Sequence, residues 1–311
     1  MTAGVVPPAA DASAALRTAV FRWACRLDVA ATKAGNVSWA SPGHGMSAEM
    51  FVASGDAASR PLCEPGAPVG RRIERAVRAS WDVALCNTNL GILLLCAPLL
   101  AAAERLERLP SPASVLHEAL MQVLVQLDVN DAGAAYRAIA AAAPGGLGRS
   151  DEADVHEAPQ IGLREAMRLA ADRDQIAREY AEGFPVVFGL ALPAFAAACS
   201  DGAPPRAAML RAYLAVLADQ PDSHIVRKHG QALAHSVMAE ARPWWQRAQQ
   251  GRPVDADPHY LAWDRSLKQR GINPGTSADL SVAAALTAGL CLPGVQAMAL
   301  RGLGVERPSG G

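Results

Sequence analysis

This chain is poor in the residues that usually announce a function. Aromatic side chains make up 5% of its 311 residues. Trp244, Trp245 and Trp263 do not form an alternating basic and aromatic pattern, so they read as packing groups and not as base-stacking platforms. Six cysteines, Cys25, Cys63, Cys86, Cys96, Cys199 and Cys291, are scattered without a CxxC pair. That spacing suggests neither a zinc site nor a disulfide framework. Charge of one sign is also missing, since 29 Lys and Arg meet 30 Asp and Glu for a formal net charge of -1. Duplex binding draws its affinity from many unbalanced cations, so no nucleic-acid partner is expected, while a small anionic ligand stays compatible. The most apolar stretch, 91–103, is too short to cross a bilayer comfortably and runs straight into Glu104, Arg105, Glu107 and Arg108. It reads as a buried helix. Residues 1–10 place no basic segment before an apolar run, and Arg17 and Arg22 interrupt the first helical stretch. No signal peptide or membrane association is expected, and the cytoplasm is the expected location.

Period-two alternation and fixed-period repeats are absent as well. What is present is 51% hydrophobic content carried by Ala, Leu and Val, a composition that favours close helix packing. Leu16, Val20, Trp23 and Leu27 recur at spacings of three and four. They predict an amphipathic helix over 11–32, capped by Asp11 or Ser13. The same reasoning predicts helices over 47–59, 114–127, 131–142, 163–182, 185–199, 206–218, 224–249, 259–270 and 277–290. A further helical stretch over 69–106 should kink or break at Asn87-Thr-Asn89. The expected fold is all-α: a single large multi-helix domain over 13–303, with flexible tails at 1–12 and 304–311. Pro144-Gly-Gly-Leu-Gly148 reads as a surface connection, because it neither follows a strand nor ends in the Lys-Ser/Thr of a P-loop.

Four polar islands stand out from this background: Lys33-Ala-Gly-Asn-Val37, Asn87-Thr-Asn-Leu-Gly91, Asp222-Ser-His-Ile-Val-Arg-Lys228 and Asn273-Pro-Gly-Thr-Ser-Ala-Asp279. Polar groups inside apolar helices need partners, and a polar ligand is one such partner. Gly275, Thr276 and Ser277 precede a helix whose first N–H groups suit a phosphate, with Thr276 or Ser277 as cap. Asp279 either holds a metal or closes that cap. Asp222 or Ser223 caps the helix that carries His224, Arg227 and Lys228 on one face, a cationic set suited to polyphosphate or simply an exposed basic face. Lys33 complements a helix C-terminus or binds an anion, and Gly35 and Asn36 beside it form a turn. His44 sits in a glycine-rich loop. Asn87, Thr88 and Asn89 need hydrogen bonds that a base, a ribose or a helix–helix contact would supply. Glu74 has an ion pair with Arg71 or Arg78 as its plain alternative. Asp172 and Asp174, two apart on a helix, do not share a face and read as solvated.

Taken together and in order, the four islands, His44, Pro144-Gly-Gly-Leu-Gly148 and Gly183-Phe-Pro resemble motifs of the triphosphoribosyl-dephospho-CoA synthase family over residues 14–292. The last island is similar to that family's Ser-Pro-Gly-Gly-Ser-Ala-Asp-Leu. The resemblance implies an all-helical transferase that joins ATP to dephospho-CoA with release of adenine, forming the precursor of the prosthetic group of citrate lyase and malonate decarboxylase. It also implies Mg²⁺ on the phosphates, with Asp222 and Asp279 as metal or base candidates. Lys33, Arg227 and Lys228 would then hold phosphate, Asn87 and Asn89 the ribose or adenine, and His44 or Glu74 would move the proton.

This chain also departs from the family pattern. Asn89-Leu90 stands where the family has His-Lys, and His44-Gly-Met-Ser where it has His-Lys-Asp-Met. Ala34 and Asn36 replace the proline and leucine of Lys-Pro-Gly-Leu-Val. The pattern is similar to a branch associated with the tetrahydromethanopterin and methanofuran one-carbon pathways, whose acceptor could differ. A non-catalytic nucleotide-binding protein is the other expectation.

Overall fold

The computed structural model describes residues 9–143, 154–155 and 157–305; the Gly-rich segment 144–148 and most of the two expected tails lie outside them. Fifteen α-helices occur among the described residues. They are α1 (Ala9–Ala30), α2 (Ala48–Leu62), α3 (Val69–Ala84), α4 (Leu90–Glu104), α5 (Ala113–Val125), α6 (Val129–Ala142), α7 (Leu163–Ala170), α8 (Gln175–Glu182), α9 (Leu192–Ser200), α10 (Pro205–Asp219), α11 (Ser223–His229), α12 (Gln231–Gln249), α13 (Pro258–Gln269), α14 (Gly275–Cys291) and α15 (Pro293–Arg301). A five-residue π-helical turn, Val187–Ala191, leads into α9. No strand is present among the described residues, only isolated bridges between Ser38 and Ser41 and between Gly43 and Met46. The fold is all-α and forms a single helical domain.

The core is organised around α14. Almost every residue of this helix is buried, as expected of a helix that is Ala, Leu and Val on all faces. Two of its hydroxyls are satisfied within the helix itself, Ser281 Oγ donating to the Ala278 carbonyl (2.7 Å) and Thr287 Oγ1 to the Ala283 carbonyl (2.8 Å). Helices α1, α4, α9, α10 and α15 pack around it. The apolar stretch read as a buried helix is α4, enclosed along most of its length. A second apolar cluster joins α10, α12 and α13 through Tyr213, Leu217, Val237, Tyr260 and Leu267.

Departures from the expected helices have local causes. The long 69–106 stretch does break: Leu85 turns left-handed (φ 56°) to end α3, and Asn87 Oδ1 accepts the Leu90 N–H (3.1 Å) at the start of α4. The expected 163–182 helix is two helices, because Asp174 leaves helical geometry and caps α8 by accepting the Ala177 N–H (3.0 Å). Gly230 (φ 88°) likewise divides the expected 224–249 helix into α11 and α12. The first helix begins at Ala9 and ends at Ala30, so Asp11 and Ser13 are not its cap and Lys33 lies in the loop after it. Helix α15 is an addition to the expected set; Pro293 occupies its first turn, where a missing N–H costs nothing.

Between α8 and α9 the chain turns through Gly183 (φ 87°) and Phe184 (φ 63°). The fully buried Glu179 carboxyl accepts the N–H groups of Val186 and Val187, both at 3.0 Å. Burial pushes this carboxyl up to about 7, against the pull of those two N–H groups. The folded state therefore holds the Glu179 proton more tightly than the unfolded chain does. Its contribution to stability is complete below about pH 4 and is lost as pH rises through about 7, a decline on the order of 3 kcal/mol. Urea unfolding at pH 5 and pH 8 should show this decline in the wild type, and Glu179→Gln should remove most of it; equal slopes for the two proteins would contradict the assignment.

Candidate active site

The loop after α1 turns back against α13 and the start of α14. Within it the Lys33 ammonium is fully buried, paired with Asp28 and donating to Asn36 Oδ1 (2.9 Å). Asn36 Nδ2 in turn donates to Asn273 Oδ1 (2.9 Å). This line of bonds ties α1 to the segment that opens α14. Gly35 (φ 79°) must be glycine, since a Cβ there would lie 2.8 Å from Pro274 Cδ and 3.0 Å from the Ile272 carbonyl oxygen. Its carbonyl receives the His44 ring through Nε2 at 2.8 Å.

Above this loop lies a cavity of about 570 Å³. Part of its lining is apolar: Phe51, Leu90, Leu94, Ile139, Met167 and Ile176. Another part is charged or polar, with Asp28, His44, Asn89, Arg173, Asp174, His224, Arg227, Lys228 and Asp279. Helices α4, α8 and α14 all begin at the cavity, which adds the positive ends of their dipoles. The Arg227 guanidinium reaches Asp174 (3.3 Å). Three donors or acceptors in the lining are buried without a partner among the described residues, Asn89 Nδ2, Tyr136 Oη and His224 Nε2. The Asn89 residue itself is only 6% exposed.

The charges in this cavity are held away from their ordinary behaviour. Burial, then the nearby carboxylates of Asp28 and Asp222, push the Asp279 carboxyl well above the usual carboxylate range, with Lys33 and Arg227 opposing. Asp279 forms no hydrogen bond or ion pair within bonding distance among the described residues. Its carboxylate packs against the backbone of α4, where a Cβ on Gly91 would fall 2.0 Å from Asp279 Oδ2. The glycine that ends the Asn87 island is therefore what lets α4 and α14 approach with the carboxylate between them. The Asp28 carboxyl is raised by burial and pulled back by Lys33. The His224 imidazole is lowered to about 3 by burial and by Arg227 and Lys228 one turn along, so the ring is neutral at pH 7.

Asn36, His44, Asn87, Thr88, Asn89, His224, Arg227, Lys228, Gly275 and Asp279, singled out in the sequence, are brought together in this one cavity. The remaining candidates are placed elsewhere. Glu74 is bound to Arg137 on α6 (2.6 and 3.0 Å), and that pairing holds its carboxyl below the ordinary range. It does not line the cavity and is not placed to move a proton there, and its partner is neither Arg71 nor Arg78. Asp222, a metal or base candidate in the sequence, is held in this structure as an anchor between α11 and α14. Its Oδ1 accepts the His224 and Ile225 N–H groups (2.9 and 3.1 Å), and its Oδ2 accepts the N–H and hydroxyl of Ser277 (2.7 and 2.8 Å), with no exposed surface left. Ser277 is thereby committed to Asp222 and offers nothing to a phosphate. Ser223 donates its N–H to Gln175 (2.9 Å) and meets Thr276 through its hydroxyl (3.0 Å). Lys33 and Gly35 lie behind the lining and act through Asn36 and His44.

Sequence reasoning alone misses Asp28, Tyr136, Arg173 and Asp174 as lining residues. Asp28 carries a signal, a carboxylate between Leu27 and Val29 in an otherwise apolar helix face. Asp174 reads as solvated only if its helix is continuous. Tyr136 has no signal that separates it from an ordinary core tyrosine.

A family model described as CitG, ATP:dephospho-CoA triphosphoribosyl transferase, matches residues 14–295. The chain belongs to this family. The fold also matches a crystal structure from Archaeoglobus fulgidus of a presumed triphosphoribosyl-dephospho-CoA synthase, with a TM-score of 0.61 and 23% sequence identity over 77% of this chain and 98% of that one. This CitG-family protein is thus an enzyme of the transferase class. The cavity gathers the islands that carried the resemblance onto one surface. Among the described residues no single helix is long and apolar enough to cross a membrane.

Proposed function

We propose that this transferase moves the triphosphoribosyl group of ATP onto a hydroxyl of dephospho-CoA and releases adenine. The observation that supports it best is the pairing, in one cavity, of a cationic group (Arg173, Arg227, Lys228) with an uncommitted, half-buried carboxylate, Asp279. A polyphosphate fits the first and the positive charge of an oxocarbenium-like centre fits the second. In the transfer the ribose C1′–N9 bond breaks, the acceptor oxygen bonds C1′, the hydroxyl proton passes to a base, and adenine leaves with the bonding pair and takes up a proton, so that the net proton count is unchanged.

Within this reading Arg227 and Lys228 hold the phosphates and Asn89 Nδ2 donates to the ribose or base. His44 takes the hydroxyl proton. In the neutral ring the Nε2–H is donated to the Gly35 carbonyl, which leaves Nδ1 as the basic nitrogen. No group of three metal-ligating side chains is present among the described residues. That suits Mg²⁺ held by one protein carboxylate with phosphates and water, and Asp279 is the carboxylate that fits, since Asp28 is neutralised by Lys33. Bound there, Mg²⁺ would screen the phosphate charge. An ATP-consuming synthesis of this kind fits a cytoplasmic setting.

A second reading keeps the transfer and changes the acceptor to a precursor of a one-carbon cofactor of the methanopterin or methanofuran type. It is favoured by Leu90, an apolar residue lining the cavity where the family carries a lysine. Adenine release from ATP and Mg²⁺, followed by chromatography with each acceptor in turn, tests both. Release that depends on dephospho-CoA supports the first, release only with the other acceptor supports the second, and ATP binding without release under any acceptor contradicts both.

A further inference from the structure

Tyr260, Asp264 and Lys268 succeed one another at intervals of four along α13, so they share one face of the helix. None of them lines the cavity. Each is bonded to a different point of the loop that carries Lys33, Asn36 and His44. Tyr260 Oη accepts the Ala34 N–H and donates to the Thr32 carbonyl, both at 2.9 Å. Asp264, 1% exposed, accepts the Gly35 N–H at 2.8 Å. Lys268 donates to the Ser41 carbonyl (2.9 Å) and to the Asp264 carboxylate (3.0 Å). The middle rung is the informative one, because Gly35 is held by Asp264 on its N–H side and holds the His44 ring on its carbonyl side.

We propose that Asp264 is a positioning residue for His44, acting through Gly35 to fix the carbonyl that receives the ring and so to keep Nδ1 free as the proton acceptor. The inference rests on the transfer reading only for the role of that proton. The geometry is of the kind in which a residue that never meets substrate sets the tautomer and orientation of one that does. Lys268 holds the Asp264 carboxylate in place, and the close fit of Gly43 over the Lys268 stem, where a Cβ would lie 3.2 Å from its carbons, brings the His44 turn against the same face.

The test is ¹⁵N NMR of the His44 ring, assigned by comparison with His44→Gln, in the wild type and in Asp264→Ala. The wild-type neutral ring should carry its proton on Nε2, and D264A should give a mixture of tautomers. Asp264→Asn, which keeps an oxygen for the Gly35 N–H, should retain the wild-type signature. Because D264A leaves Lys268 without its counter-charge, the double variant D264A/K268M provides the same measurement in a protein without that buried unpaired cation. An unchanged tautomer in D264A or in the double variant overturns the proposal. In adenine release, D264A should lower kcat by about 10- to 100-fold with little change in KM for ATP, and should add nothing further in a His44→Ala background. A loss that multiplies with H44A, or one confined to KM, also overturns it. If the wild type releases no adenine, the transfer reading fails while the ring signature still decides the positioning.

Discussion

Asp279→Asn is expected to lower kcat/KM for adenine release by about 10²- to 10³-fold, the usual cost of removing one charge aimed at a developing transition-state charge. The same change should leave the fold at least as stable as the wild type. Asp279 is desolvated, lacks a hydrogen-bond partner among the described residues, and is repelled by Asp28 and Asp222. Its ionised form is therefore a cost to the folded state. Asparagine keeps the shape that fits against Gly91 and removes the charge. Activity assays and thermal melts on the same preparation read the two effects separately. Opposite movement of activity and stability is a signature of a carboxylate retained for chemistry. Full activity in D279N would remove Asp279 from the mechanism, and a clearly lower melting temperature would contradict the electrostatic account of its burial.

The second large effect concerns stability alone. Glu104, the last residue of α4, pairs with the buried guanidiniums of Arg72 on α3 and Arg17 on α1, and accepts the Gly66 N–H from the α2–α3 connection (2.6 Å). Arg17 and Arg72 are 1% and 2% exposed. Glu104→Ala leaves both cations enclosed with only neutral partners, Ser13 for one and the Ala67 and Leu62 carbonyls for the other. Breaking a buried pair in this way costs about 3–5 kcal/mol, a large share of a total stability on the order of 5–15 kcal/mol. Urea unfolding should show that loss, and Glu104→Gln should recover part of it by keeping an acceptor for Gly66. A change under about 1 kcal/mol, the worth of an exposed ion pair, would contradict the account.

The helical class is legible in the sequence because apolar residues recur at three and four throughout, and because Ala-rich helices such as α14 have no competing strand pattern. The break at Asn87-Thr-Asn89 is legible for the same reason in reverse, since three adjacent polar residues cannot sit in a buried helix without partners. Asp174 and Gly230 show where this reasoning stops. Each is tolerable inside a helix, yet Asp174 serves as the cap of α8 and Gly230 (φ 88°) ends α11. The islands point to the cavity lining, but they do not tell the roles of Asp222 and Asp279 apart. Both are acidic residues beside a helix start. One is saturated by Ser277, which lies 55 residues away in the chain, and the other faces Gly91 from across the core, so long-range contacts alone distinguish anchor from candidate ligand. Glu74 is attractive by its position on a long helix, and the side of α3 that carries it meets Arg137 instead.

The central claim is that the cavity transfers the triphosphoribosyl group of ATP intact. The most direct test is the mass of the second product when the protein is incubated with ATP, Mg²⁺ and dephospho-CoA. The account predicts a conjugate that contains all of dephospho-CoA plus the ribose and three phosphates of ATP, formed in step with free adenine. Dephospho-CoA recovered unchanged while adenine accumulates, or a conjugate carrying adenylate or a single phosphate, would contradict it.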